Sequence, residues 1–180
     1  MLDATDQIID QPSAWVQRWA ARIPAAGRVL DVACGGGRHA RYLAGQGCRV
    51  DAVDRDAASF LGLAGVAHVT TCEADLEGGA WPYGGESFDA VVVTNYLHRP
   101  LFPRLFAALK PGGVLIYETF ALGNERYGRP RNPDFLLQPG ELLRLAHGRL
   151  EVIAYENLAV DVPRPAMVQR MCAINGTLAG

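Results

Sequence analysis

The chain has 180 residues, 49% of them apolar and 20% charged, which suits one domain with a buried core and excludes a disordered or fibrous protein. Formal net charge is −2, and among its 17 basic residues Lys110 is the single lysine; the arginines form no continuous stripe. That balance argues against a nucleic-acid partner and against an anionic membrane surface.

The first dozen residues are polar and end at Pro12. Ser13 is placed to cap a helix that carries Trp15, Val16 and Trp19 at helical spacing and stops by Pro24. This N-terminal helical segment (1–25) packs as core, folds over the cofactor or acceptor, or meets a second subunit. The run 28–33, "RVLDVA", predicts a strand, and 37–47 a helix that ends at Gly47. Strand and helix alternate onward: strand 48–54, helix 56–65, strand 67–75, strand 87–95, helix 100–113, strand 114–120 and helix 139–148. The helix over 100–113 should stop at Pro111-Gly112-Gly113. The tail breaks the alternation. Segments 149–160 and 166–174 read as two strands joined by a short turn, an antiparallel hairpin. The expected fold is α/β: a Rossmann-like, doubly wound sheet of seven strands, mostly parallel, closed by that hairpin. One domain over 1–180 is expected, with a lid-like loop at 121–140.

Three glycines, Gly35 to Gly37, follow the first strand. There they permit a tight turn and let a ligand approach the main chain at a helix N-terminus. Gly35, Gly37 and Ala40 match a dinucleotide-binding pattern, which alone is a weak signal. Asp31, Asp54 and Asp75 add weight, because each lies at the C-terminal end of one of three adjacent strands. An acid at the second strand's end can accept bonds from ribose hydroxyls, and one at the third can accept an exocyclic amine. Helix capping alone does not require three acids at one edge.

The successive stretches "VLDVACGGGRHA", "VDAVD", "CEADL", "FDAVVVTNYLHR" and "LKPGGVLIYETF" resemble the ordered motifs of class I S-adenosylmethionine-dependent methyltransferases, over about residues 28–175. The "ACGGGRHA" form is also similar to small bacterial methyltransferases of the tellurite-resistance type, whose substrate is not carried over. The resemblance implies S-adenosylmethionine as cofactor and S-adenosylhomocysteine as product. It implies that Asp31 orders the loop and reaches toward the methionine ammonium. The backbone at Ala33, Gly35 and Gly37 lies along the methionine part, Asp54 holds the ribose, Asp75 with Leu76 holds the adenine, and Asn95 lines the cofactor near its methyl. Cys34, Arg55 and Ala74 complete the implied cofactor site. Ala33 stands where the family usually has glycine, and Gly36 where it often has a hydroxyl residue. If Ala33 keeps a negative φ, the loop changes little.

Two other classes compete. A cofactor-binding protein without catalysis would keep the same motifs. A nicotinamide-dependent oxidoreductase would continue with parallel strands and would leave Asp75 without a task.

The acceptor should be a small molecule approaching over the loops after the fourth and fifth strands. His98 is the candidate general base, or else it pins the loop. Arg99 either binds an acidic substrate or pairs with a protein acid. Tyr96 either walls the site or is core. The loop 121–140 is rich in Gly, Pro and Arg, with Arg126, Arg129 and Arg131 giving it local positive charge. It reads as a lid that favours an anionic group or as a solvated loop. Glu118, Arg126 and Tyr127 are further candidate substrate contacts, and His39 is secondary.

Cys34, Cys48, Cys72 and Cys172 have no metal-ligand spacing, so they read as reduced structural thiols with no metal site. No leader pattern and no apolar run of about 20 residues occurs, which predicts a soluble cytoplasmic protein without a membrane anchor. Oligomeric state is not legible.

Overall fold

A computed structural model describes residues 11–176; the first ten residues of the expected N-terminal segment and the last four of the chain lie outside the described residues. In chain order the elements are α1 (Ala14–Ala20), β1 (Arg28–Val32), α2 (Arg38–Gly45), β2 (Arg49–Asp54), β3 (Val69–Glu73), β4 (Phe88–Thr94), α3 (Phe102–Ala108), β5 (Leu109–Phe120), α4 (Glu141–Ala146), β6 (Glu151–Val160) and β7 (Ala166–Ile174). The seven strands form one sheet in the order β3-β2-β1-β4-β5-β7-β6. β1 to β5 pair in parallel, while β7 runs antiparallel to both β5 and β6, as the tail hairpin predicts.

Each central strand is buried on both faces. Val91 and Val93 of β4 pack on one side with Leu30, Leu115 and Tyr117, under Phe102 and Leu105 of α3 and Leu142 of α4. Ala90 and Val92 face the other side with Val29, Val50 and Ile116, under Trp15 and Val16 of α1 and Leu43 of α2. Successive strand side chains point to opposite faces, so a run of three valines satisfies both layers. Trp15 is therefore core: it is fully buried, and its indole N–H donates to the Met171 carbonyl at 3.3 Å.

Two expected helices differ. The segment 56–65 is a 3₁₀ turn over Ala57–Leu63, capped by Asp56, whose carboxylate accepts from the Ala58 N–H at 3.0 Å. It buries only Leu63 and leaves Leu61 exposed, so it lacks the apolar stripe that holds a longer helix. The helix over 100–113 is shorter, since α3 ends at Ala108 and Leu109 already pairs with Phe88. The Lys110 ammonium holds both oxygens of Asp89 at 2.9 Å across that new pairing. Strand pairing thus begins ahead of the glycines that the sequence presents as the stop.

Candidate functional site

The loop from β1 to α2 has left-handed backbone at Ala33 (φ 51°), Gly35 (φ 51°) and Gly37 (φ 72°). A Cβ on Gly37 would lie 2.4–2.6 Å from Leu63, so that glycine is demanded by packing as well as by φ. A Cβ on Gly35 or Gly36 would meet nothing within 4 Å, which leaves the main chain open to a ligand. The negative φ expected of Ala33 is not found. The Cys34 N–H donates to the Val53 carbonyl at 3.0 Å, and this bond to the neighbouring strand turns the chain at that point.

Asp54 braces the loop: one carboxylate oxygen accepts from the Gly35 N–H at 2.9 Å and the other from the Asp56 N–H at 3.1 Å. Asp75 at the end of β3 is exposed and accepts from the Glu77 N–H at 3.0 Å. The backbone N–H groups of Glu77 and Gly78, then the charges of Arg55 and His98, hold its carboxyl below the usual range. Asp54, Arg55, Ala74, Asp75, Leu76 and Glu77 line a cavity of about 340 Å³, closed by Ala33, Tyr96 and Phe135. Acceptor-only carboxylates beside buried Leu76, at the C-terminal ends of β2 and β3, suit a ribose and a base.

Asp31 lies elsewhere. Its side chain is 1% exposed and outside that cavity, so two of the three acids, not three, share the cleft. Burial pushes its carboxyl up to about 7, against the opposing pull of the Ala40 N–H and the Arg38 charge. One of its oxygens has no hydrogen-bond partner among the described residues. A buried, half-satisfied carboxylate needs a donor, and an ammonium group fits that need. Cys34 is buried too, and burial followed by the charges of Asp31 and Asp54 pushes its thiol well up. Its side chain packs in the core cluster with Ala40, Leu43 and Leu63.

A second cavity, of about 390 Å³, opens on the other side of the β4 terminus. Its walls are residues 11–14 and Gln17, Arg38, Asn95 and Glu118, with Phe120, Val168 and Arg170 behind and Val162 and Arg164 from the β6–β7 tip. Asn95 (φ 55°) and Tyr96 straddle the two cavities, Asn95 in the second and Tyr96 in the first. Ser13 ties the second cavity together. Its N–H donates to Nε2 of His39 at 3.1 Å, and its hydroxyl donates to Glu118 at 2.6 Å and accepts from the Trp15 N–H at 3.1 Å. His39 is 1% exposed, and burial followed by the Arg38 charge pushes its pKa down to about 3. It is therefore neutral. Because Nε2 accepts from Ser13, Nδ1 carries the proton and donates to the Thr94 hydroxyl at 3.2 Å.

Several expected contacts move. Tyr96 walls the first cavity, and burial, with Glu77 next, raises its phenol pKa. His98 lines neither cavity and stands where its charge acts on Asp75. Arg99 is taken by the protein: it donates to both oxygens of Glu141 at 2.7 and 3.1 Å, and to the Asp134 and Leu136 carbonyls at 2.6 and 2.9 Å. These bonds fix the loop 121–140, whose Leu136 and Leu137 are buried, and place Phe135 over the first cavity. Arg126 is exposed and lines neither cavity; Tyr127 lines a side cavity of about 40 Å³ with Arg129 and Arg164. Glu118 does line the second cavity. Sequence reasoning missed Arg38, Arg164 and Arg170. Arg38 follows the glycines and was a local clue, but the other two reach the site only through the hairpin fold. Among the described residues no group of three or more potential metal ligands occurs, and no helix is long and apolar enough to cross a membrane.

The strand order, the glycine loop and the carboxylates after β2 and β3 define a class I S-adenosylmethionine-dependent methyltransferase domain, with S-adenosylmethionine as cofactor. The chain belongs to the family described as "Methyltransferase domain", whose model matches residues 5–159. It is similar to a trans-aconitate 2-methyltransferase of Paracidovorax citrulli (39% identical over 106 residues, 53% of this chain and 40% of that protein). It is also similar to a tRNA U34 carboxymethyltransferase of Methylococcus capsulatus (31% over 150 residues, 71% of this chain and 46% of that protein). The chain thus spans less than half the length of either curated relative. Among solved structures, TehB of Haemophilus influenzae superposes with a TM-score of 0.75 at 20% identity, covering 91% of this chain and 62% of that one. A methyltransferase of Mesorhizobium loti does so at 0.70 and 20%, covering 91% and 99%.

Proposed function

We propose that this chain transfers a methyl group from S-adenosylmethionine to a small-molecule acceptor bound in the cavity between residues 11–17 and the β6–β7 tip. The carrying observation is that cavity's size and its lining. A volume of about 390 Å³ is in the range of small-ligand sites, and chain-distant segments wall it on two sides. The N-terminal helix supports the reading by closing the cavity through Ser13 while Trp15 anchors it in the core.

When bound, S-adenosylmethionine supplies an electrophilic methyl on a sulfonium sulfur. The residues of this chain have the other tasks. Asp54 and Asp75 hold the adenosine, Asp31 meets the ammonium, and Tyr96 and Phe135 keep water from the adenosine cavity. Asn95 and the wall around Glu118 orient the acceptor, and alignment of this kind is a large part of such catalysis. One relative's name specifies trans-aconitate and the other's a tRNA; the cavity's size favours the small molecule.

The test is S-adenosylhomocysteine release over a panel of carboxylic acids, thiols, amines, metalloid oxyanions and bulk tRNA, together with calorimetric titration of the demethylated cofactor. Turnover with a small molecule is the expected result. Cofactor binding with no turnover on any acceptor would identify a non-catalytic binder. Turnover on tRNA alone would overturn the acceptor assignment.

A further inference from the structure

We propose that the acceptor is a small di- or tricarboxylate, with one carboxylate as the nucleophile beside Asn95 and a second held between Arg164 and Arg129. This deepens, and rests on, the small-molecule reading above.

Arg164 sits on the turn between β6 and β7 and lines both the 390 Å³ cavity and the side cavity. No ion pair or hydrogen bond occupies its guanidinium among the described residues. Arg129 and Tyr127 face the same side cavity from the loop after β5. Its volume of about 40 Å³ leaves room for a small polar group, since about 10–15 Å³ of such space holds one water. Two arginines lining so small a space match a carboxylate, which accepts bidentate bonds from arginine. Phe120 and Ala166 line both cavities, so one short molecule can reach from Asn95 to Arg164.

The inner cavity points to the same chemistry. Its titratable side chains among the described residues are Arg38, Glu118, Arg164 and Arg170. Glu118 accepts from Ser13 at one oxygen and from Arg170 at the other, at 2.6 and 3.2 Å. Arg170 is further tied to Glu156 at 2.7 Å. An alcohol or amine nucleophile would have to give its proton to a base, and the acid in this cavity is already engaged. A carboxylate needs none. Its oxygen lone pair forms the new O–CH₃ bond, the C–S bond breaks, and that electron pair stays on sulfur. The anion and the sulfonium become a neutral ester and a neutral thioether, and no proton is released in the transfer step.

The experiment titrates the protein, saturated with S-adenosylhomocysteine, with succinate, glutarate and propane-1,2,3-tricarboxylate and with their amides. At least one acid should bind while its amide does not. Arg164→Gln should weaken that binding roughly 10- to 100-fold, as loss of a charged hydrogen-bond pair does, and leave S-adenosylhomocysteine affinity unchanged. Arg129→Gln should weaken it too, and Arg131→Gln should not. For whichever acid turns over, an indicator dye should record no proton per methyl transferred. Binding of none of the acids, indifference to Arg164→Gln, or one proton per turnover would overturn the proposal. If neutral acceptors turn over while the acids do not bind, the methyltransferase reading stands and the carboxylate falls. Failure to bind S-adenosylhomocysteine removes both.

Discussion

Ser13 and Glu118 are 105 residues apart in the chain, and the serine hydroxyl donates to the glutamate at 2.6 Å. The same hydroxyl caps α1, and the Ser13 N–H reaches the buried His39. One small residue thereby joins α1, α2 and β5 at the rim of the larger cavity.

Replacing Ser13 by alanine should cost about 1–2 kcal/mol of stability, through the lost cap and a Glu118 left short of a donor. It should also raise the KM for the acceptor while sparing cofactor affinity, because the adenosine cavity does not include residue 13. Thermal unfolding and titration with S-adenosylhomocysteine check this. An unchanged acceptor KM would remove the N-terminal segment from the acceptor site.

Asp31 couples proton and ligand. Its carboxyl is raised to about 7 in the folded chain against 3.8 for the free group, so folding favours the protonated form. The resulting stability is fully present below the unfolded value and is lost as pH rises through about 7. Asp31→Asn should therefore be more stable than the parent at about pH 8 and lose that advantage near pH 4. Its affinity for S-adenosylhomocysteine should fall roughly 10- to 100-fold, for want of a charged partner to the ammonium. In the parent protein, that affinity should rise as pH climbs through about 7. Melting curves at both pH values and calorimetry of the ligand decide it; a variant that binds as well as the parent would show that Asp31 does not meet the ligand.

Ala33 holds a φ of 51°, a conformation that costs an L-residue about 1–2 kcal/mol. Ala33→Gly relieves that strain and adds back roughly 0.4–1 kcal/mol of unfolded-chain entropy. The net expectation is stabilisation of up to about 1 kcal/mol, a rise in Tm of roughly 2–4 °C for a chain of this size. A fall in Tm would mean that the alanine methyl packs well enough to outweigh its backbone.

Glu141→Gln leaves Arg99 without its charged partner and loosens the bonds that hold Asp134 and Leu136. Burial opposes ionisation of Glu141, but the Arg99 side chain, then the Gln138 N–H, hold its carboxyl below the usual range. The stability from this pair is present above the unfolded value, near 4.5, and is lost as pH falls below it. The variant should be cut faster by protease within 121–140 and, if the first cavity takes the adenosine as proposed, should bind S-adenosylhomocysteine more weakly, since Phe135 lines that cavity from the loop. Unchanged proteolysis would show that the loop is held by Leu136 and Leu137 alone.

The alternation of strand and helix, the glycine turn, the acids after β2 and β3 and the closing hairpin were all legible in the sequence. Each is a short-range pattern: apolar runs between breakers, or an acid at a strand's end. The sheet rules then place every parallel strand's C-terminal end on one edge, so Asp54 and Asp75 meet without further information. Only the tertiary structure decided the rest. It buried Asp31 outside the first cavity, gave Ala33 its left-handed backbone, used Arg99 to fix a loop, and brought Ser13, Glu118, Arg164 and Arg170 around one cavity. Those outcomes depend on which distant side chain arrives opposite each residue, and on which polar groups are then left to satisfy one another out of reach of water.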